Sequence, residues 1–310
     1  MGSQDGSVDT LTAGPTDPTM GHQEDHPPLC IHYDFKPMDS SCFLEKGMKD
    51  SLRQWGLEDT LTLTQARFCP AFMPHEETTF VRQFLAFAAE RASSQRADQA
   101  HNTAVAASVE SVQWEALKCT AVSMDFFDCL VEKGIVSQPG NIRGCFPDVF
   151  DGVTVSDRLR ELLVNPDSEN ADVFSSDQQE ELLFHIFRAL SVGGGVCQPH
   201  DSLEPYTTAV KALYKDLVSV QKNASTGKLE IAACKVYRVT DATTGKNSSD
   251  KNYVQTGGSG SGHGADVGFS SKGKGAGSYL DPSPHSVCLV VVDASKKRAS
   301  VLRKEFRSFW

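Results

Sequence analysis

Between Ser176 and Val239 the apolar residues change their spacing, and that change limits what the chain can fold into. Leu182, Leu183, Ile186, Phe187 and Leu190 recur at helical period, and Ser176 with Gln179 three residues on fits a capping box at the start. Gly193, Gly194 and Gly195 stop this helix, because only glycine enters a left-handed terminal turn without a steric penalty. A second helix opens near Pro205 and carries Tyr206, Val210, Leu213, Tyr214 and Leu217 along one stripe. The period then drops to two: Val218 and Val220 lead into a turn at 223–227, and Leu229, Ile231 and Ala233 lead out toward Val236 and Val239. Two helix stripes and a half-apolar hairpin need one another for burial.

Other elements follow in chain order. Ile31, Tyr33 and Phe35 predict a short strand from Cys30. Phe43, Leu44, Met48 and Leu52 predict a helix that ends at Gly56. Leu61 to Phe68 reads as a strand, and Phe80, Val81, Phe84, Leu85, Phe87 and Ala88 as one wide helix face within 76–91. The Ala/Ser-rich segment 93–111 fits either a helix extension or a linker. Leu117, Cys119 and Ala121 predict a strand, Ser123 caps a helix with Phe126, Phe127, Leu130 and Val131, and Gly134 to Gly140 is a loop. Ser156 caps a short helix with Leu159, Leu162 and Leu163 that ends at Asn165 and Pro166. Val287 to Val292 is an apolar strand, and a turn at 294–298 leads to a last strand ending near Phe306.

These elements predict an α+β fold, an antiparallel sheet with helices packed on one face. Its parts are a disordered tail at 1–28, a main domain at 29–239, a Gly/Ser-rich flexible insertion at 240–286 and a hairpin at 287–310 that completes the sheet. The tail holds no aromatic residue, Lys or Arg, which excludes a secretory or transit leader there, and Gly6 spoils a myristoylation pattern at Gly2. The insertion contains ten of the 24 glycines, so removing 246–282 is expected to shift melting by no more than a few degrees.

The formal charge of −10 argues against nucleic acid as main partner, and no apolar run reaches the roughly 18 residues of a membrane span. Nine cysteines, odd in number and irregular in spacing, suggest reduced thiols in a cytosolic compartment. From Ala294 onward, Lys296, Lys297, Arg298, Arg303, Lys304 and Arg307 against Glu305 give a local +5, leaving −15 elsewhere. Such a strip could dock acidic surfaces such as tubulin tails. The favoured reading is lysines guarding an exposed edge strand against aggregation.

No complete catalytic, cofactor or metal set emerges. Gly268 to Gly275 resembles a phosphate loop, but Gly275 replaces the magnesium-binding Ser or Thr, and no apolar strand precedes it. Gly193 to Gly195 follow a helix rather than a strand, the reverse of a dinucleotide turn. Cys197, Gln198, Pro199, His200 and Asp201 offer one Cys/His pair where a structural zinc site takes four ligands. Glu181 and His185 stand four apart, which reads as a surface ion pair before it reads as a general base. Asp128 and Asp216 are ordinary polar helix positions.

Several blocks together resemble the cilia- and flagella-associated protein 300 family. They are Glu180 to Cys197 (EELLFHIFRALSVGGGVC), Tyr214 to Asn223 (YKDLVSVQKN), Lys228 to Val239, Ser123 to Phe127 (SMDFF), Ser156 to Val164 (SDRLRELLV) and Leu52 to Trp55 (LRQW). The likeness is dense over 115–239, looser over 287–306 and patchy before residue 100. It implies a non-enzymatic adaptor for cytoplasmic assembly and intraflagellar transport of outer and inner axonemal dynein arms, found in cytoplasm and cilium and needed for motility. It also implies association with dynein arm subunits and a kintoun-type assembly factor, with no cofactor and no active-site residues. The alternatives are a permanent structural component of the axoneme and an enzyme or nucleotide binder using Glu181, His185 and the 197–201 loop. The tail, the Ala/Ser segment and the Gly-rich insertion depart from the family pattern.

Overall fold

The computed structural model describes residues 31–39, 41–100, 109–244 and 278–308. The expectations for the 1–28 tail, the Gly2 start, the Gly268 to Gly275 loop and most of the Gly/Ser insertion lie outside the described residues. The chain runs through β1 (Asp34–Met38), α1 (Lys46–Gln54), β2 (Leu61–Cys69), α2 (Glu77–Ala100) and β3 (Val109–Leu117). After α3 (Cys129–Glu132) come β4 (Gly144–Phe150), β5 (Val153–Asp157), α4 (Arg158–Val164), α5 (Ser176–Gln179), α6 (Leu182–Val192) and α7 (Glu204–Leu217). Strands β6 (Val220–Lys222), β7 (Leu229–Ile231), β8 (Cys234–Thr244), β9 (Val287–Asp293) and β10 (Arg298–Lys304) complete it.

Six strands form one antiparallel sheet in the order β1-β2-β10-β9-β8-β3, which makes the fold α+β. The register sets the two faces, because side chains alternate along each strand. Leu63, Leu302, Leu289 and Val291 point to the layer built from α1, α4, α6 and α7. Ala66, Ala299, Val301, Val290 and Val292 have the opposite parity. There α2 covers the sheet: Phe80 lies 4.9 Å from Phe68, and Phe35 contacts Phe84 and Phe87 at 5.2 and 5.5 Å. Most helices thus share one face as expected, and α2 alone seals the other.

The two central helices pack against each other along the predicted stripes, with Leu182, Leu183, Ile186, Phe187, Leu190, Val210 and Leu213 all wholly buried. Their start differs from the sequence reading. Ser175, not Ser176, is the cap, and its partner is Gln178. The single expected helix is also broken after α5, because Lys118 donates its N–H to the Glu180 carbonyl at 3.0 Å and accepts from the Leu182 N–H at 2.9 Å. That bridge consumes the segment expected to be a strand at 117–121; the strand is β3, ending at Leu117.

Smaller corrections have local causes. β1 starts at Asp34 rather than Cys30 and tolerates Pro37 because it is the outermost strand. Ser123 does cap its turn, accepting from the Asp125 N–H at 3.2 Å. α4 is capped by Asp157 instead of Ser156: its carboxylate accepts from the Arg160 N–H and Nε, both at 2.8 Å. The Ala-rich segment continues α2 to Ala100. The hairpin after α7 is a separate pair, β6 with β7, and β8 in the main sheet passes Val239 to reach Thr244. Within the expected insertion, Tyr279 is buried and its N–H donates to the Ala242 carbonyl at 2.8 Å, so a deletion to 282 would cut into packed chain. The hairpin β4–β5 was not anticipated.

Candidate functional site

The residues singled out in the sequence are built into the fold rather than gathered into a reactive set. Glu181 caps α6 and turns its carboxylate to Thr120, accepting from the backbone N–H at 3.0 Å and from the hydroxyl. His185 is buried one turn on, and burial with the nearby Arg238 and Arg188 pushes its pKa down to about 4. It is therefore neutral at pH 7, and the expected surface ion pair is replaced by two separately buried groups.

The Cys197 to Asp201 loop docks on the end of α1. Gly194 and Gln198 donate their N–H groups to the Trp55 and Gln54 carbonyls, each at 2.9 Å, and the His200 N–H donates to the Tyr206 hydroxyl at 3.0 Å. A Cβ on Gly194 would overlap the Gly56 carbonyl, and one on Gly193 would lie 2.5 Å from the Cys197 sulfur. The glycine run is thus required by close approach of two backbones as much as by the helix stop. Burial raises the Cys197 thiol above its usual range, which keeps it protonated and unreactive. Among the described residues no group of three His, Cys, Asp or Glu side chains is placed to hold a metal.

The basic strip is not an edge. β10 lies between β2 and β9, so Lys304 is buried at 2 % exposure, while Arg303 pairs with Glu305 at 2.7 Å and Arg298 donates to the Leu217 carbonyl at 3.2 Å. Only Lys296, Lys297 and Arg307 of the six are exposed. The reading of an aggregation guard on an edge strand fails because a non-local partner, β2, covers that edge.

The surface that stands out is on β4–β5. Phe146 is 95 % exposed and Val149 53 %, on a hairpin whose register shifts between Gly144 and Asp148. The residues between those positions have no cross-strand partner, and Pro147 removes one ladder donor, so the backbone bulges and lifts the ring outward. Beside it is a hollow of about 540 Å³, lined by Phe146, Phe150, Arg158 and the acidic Asp148, Glu161 and Glu169. An exposed aromatic over an acid-rich floor can seat a partner that presents an apolar and a basic group together. Sequence reasoning assigned no element to 141–155 and so missed the hairpin; the alternation of buried Val153 and Val155 was the available signal.

Comparison with known proteins gives the context for that surface. The family model described as "Cilia- and flagella-associated protein 300" matches residues 32–256. A protein of that name from Chlamydomonas reinhardtii is 40% identical over 133 residues, covering 42% of this chain and 51% of the relative. Another from Paramecium tetraurelia is 29% identical over 199 residues, covering 64% of this chain and 77% of the relative. The chain thus spans about half the length of the first of these relatives. No solved structure matches it. With four of the six sheet strands and every helix of the described fold inside the matched span, the chain belongs to the cilia- and flagella-associated protein 300 family.

Proposed function

We propose that this protein is a non-enzymatic adaptor for the assembly of outer and inner axonemal dynein arms in the cytoplasm and for their intraflagellar transport. Membership of a cilium- and flagellum-associated family carries this reading. It is supported by the way the Glu181, His185 and Cys197 candidates are absorbed into packing, and by the presence of an exposed aromatic on β4–β5. The partners on this reading are dynein arm subunits and a kintoun-type assembly factor, with the Phe146 surface as the place of contact.

The test is capture of the protein from the cytoplasm of ciliated cells, with mass spectrometry of what accompanies it and cross-sections of cilia lacking it. Dynein heavy and intermediate chains in the capture, reduced by Phe146→Asp, with arms absent from the sections, is the expected result. Intact arms and no dynein in the capture would overturn the proposal.

A further inference from the structure

Strands β8 and β9 are paired only from Cys234 opposite Asp293 to Arg238 opposite Leu289. Beyond that point they splay: β8 continues to Thr244 beside β3, while β9 begins at Val287 on the other side of the gap. The segment 278–286 crosses the opening, tied to β8 by the Thr243 to Ser278 bridge and the Tyr279 N–H. The fork encloses a cavity of about 420 Å³, a size suited to a small ligand.

Its walls are basic. Arg188 and His185 reach it from α6, Arg238 from β8, and Arg303 and Lys304 from β10, against Asp241 and Asp281. Arg238 is already paired with Glu115 at 2.8 Å, and Arg303 with Glu305. Arg188 and Lys304 are different. Among the described residues neither has an ion-pair partner; Arg188 donates only to the Leu163 carbonyl at 3.0 Å, and the Lys304 Nζ is buried with no hydrogen-bond partner. His285, behind the same wall of Arg188, His185 and Arg238, also has both ring nitrogens buried without partners. Burial, reinforced by the Arg188 charge, holds the Lys304 amine down to about 7. Protonating a buried amine beside an unpaired guanidinium is costly unless an anion completes the site.

We propose that the β8–β9 fork is a binding site for the phosphate group of a small molecule, with Arg188 and Lys304 as its principal ligands and Arg238 and His185 at its rim. The donors that converge exceed what the two oxygens of one carboxylate can accept, whereas a phosphate offers three terminal oxygens and nearly two charges. Binding draws a proton onto Lys304 and converts its unsatisfied amine into a charge-assisted donor. The inference is independent of the dynein-arm reading.

The experiment is thermal melting and titration calorimetry of the full chain with inorganic phosphate and with pyrophosphate, against chloride at equal ionic strength. Pyrophosphate at a hundredfold excess over its dissociation constant is expected to raise the melting temperature by about 5 °C or more. Lys304→Met should melt higher than the parent without ligand and lose that gain, and Arg188→Gln should bind at least tenfold more weakly. If Lys304→Met does not fold, Arg188→Gln decides alone. No gain in the parent, or an equal gain in both variants, would overturn the site. Binding of a phosphoserine peptide without binding of pyrophosphate would overturn it in favour of a protein partner.

Discussion

The two faces of the central sheet are packed by different means. On the α2 face, Phe35, Phe68, Phe80 and Phe84 meet ring against ring, and the sheet contributes Ala66, Ala299, Val290 and Val301. On the opposite face the helices bury a larger apolar cluster but also polar groups: Gln65 donates to the Ser300 hydroxyl at 3.1 Å, and His185 and Lys304 lie within it. One face is covered by a single described helix, with the Lys235–Glu77 pair at 3.7 Å at its margin. The other is assembled from several short elements and accommodates charge where those elements fork. The buried polar side chains Ser300 and Lys304 thus share one face of β10, opposite Ala299 and Val301.

The strongest attempt to break that contrast is Phe80→Ala, which removes the ring at the centre of the α2 face. It should cost about 3–5 kcal/mol in urea unfolding, because the rings of Tyr33, Phe35 and Phe68 around it cannot fully close the cavity. Leu190→Ala, equally buried on α6, should cost about 2–5 kcal/mol; a wild-type melting curve for either would show that its layer is not core. The pH profile separates the faces more sharply. His185 is held near 4 in the fold against 6.5 unfolded, so the unfolded chain binds more protons in that window, and stability is present above pH 6.5 and lost as pH falls to about 4. Burial holds His285 down to about 4 in the same way, so each ring should account for up to about 3 kcal/mol of the loss; His185→Gln should remove about half of it and Phe80→Leu none. Ser175→Ala should cost about 1 kcal/mol and Ser176→Ala under about 0.5, measured by the same melts. Phe146→Ser, outside both layers, should change stability by less than about 0.5 kcal/mol while weakening partner capture.

The sequence exposed those parts of the fold whose partners are near in the chain. The stripes of α6 and α7 and the continuous apolar run of β9 were legible because each is a local pattern that burial must respect. The cap was misplaced by one residue because Ser175 with Gln178 and Ser176 with Gln179 satisfy the same four-residue pattern. The break before α6 could not be read, since it depends on Lys118, more than sixty residues away. Lys304 looked like an edge guard for the same reason: its burial is decided by pairing with Leu61 on β2. The exposed Phe146 lies between the Gly134 to Gly140 loop and the helix at Ser156, where no periodic run marks an element, and the cationic fork arises only where α6, β8 and β10 converge.

Pairing of Thr64 with Val301 has a consequence for synthesis. While the ribosome is still making the middle of the chain, β2 has β1 on one flank and nothing on the other, and that open flank persists until residues 298–304 emerge. A message that terminates before codon 298 yields a protein lacking an interior strand instead of a shortened end. Such products should be degraded or aggregate rather than retain partial function, and the nascent chain should depend on holding chaperones until residues 298–304 have emerged.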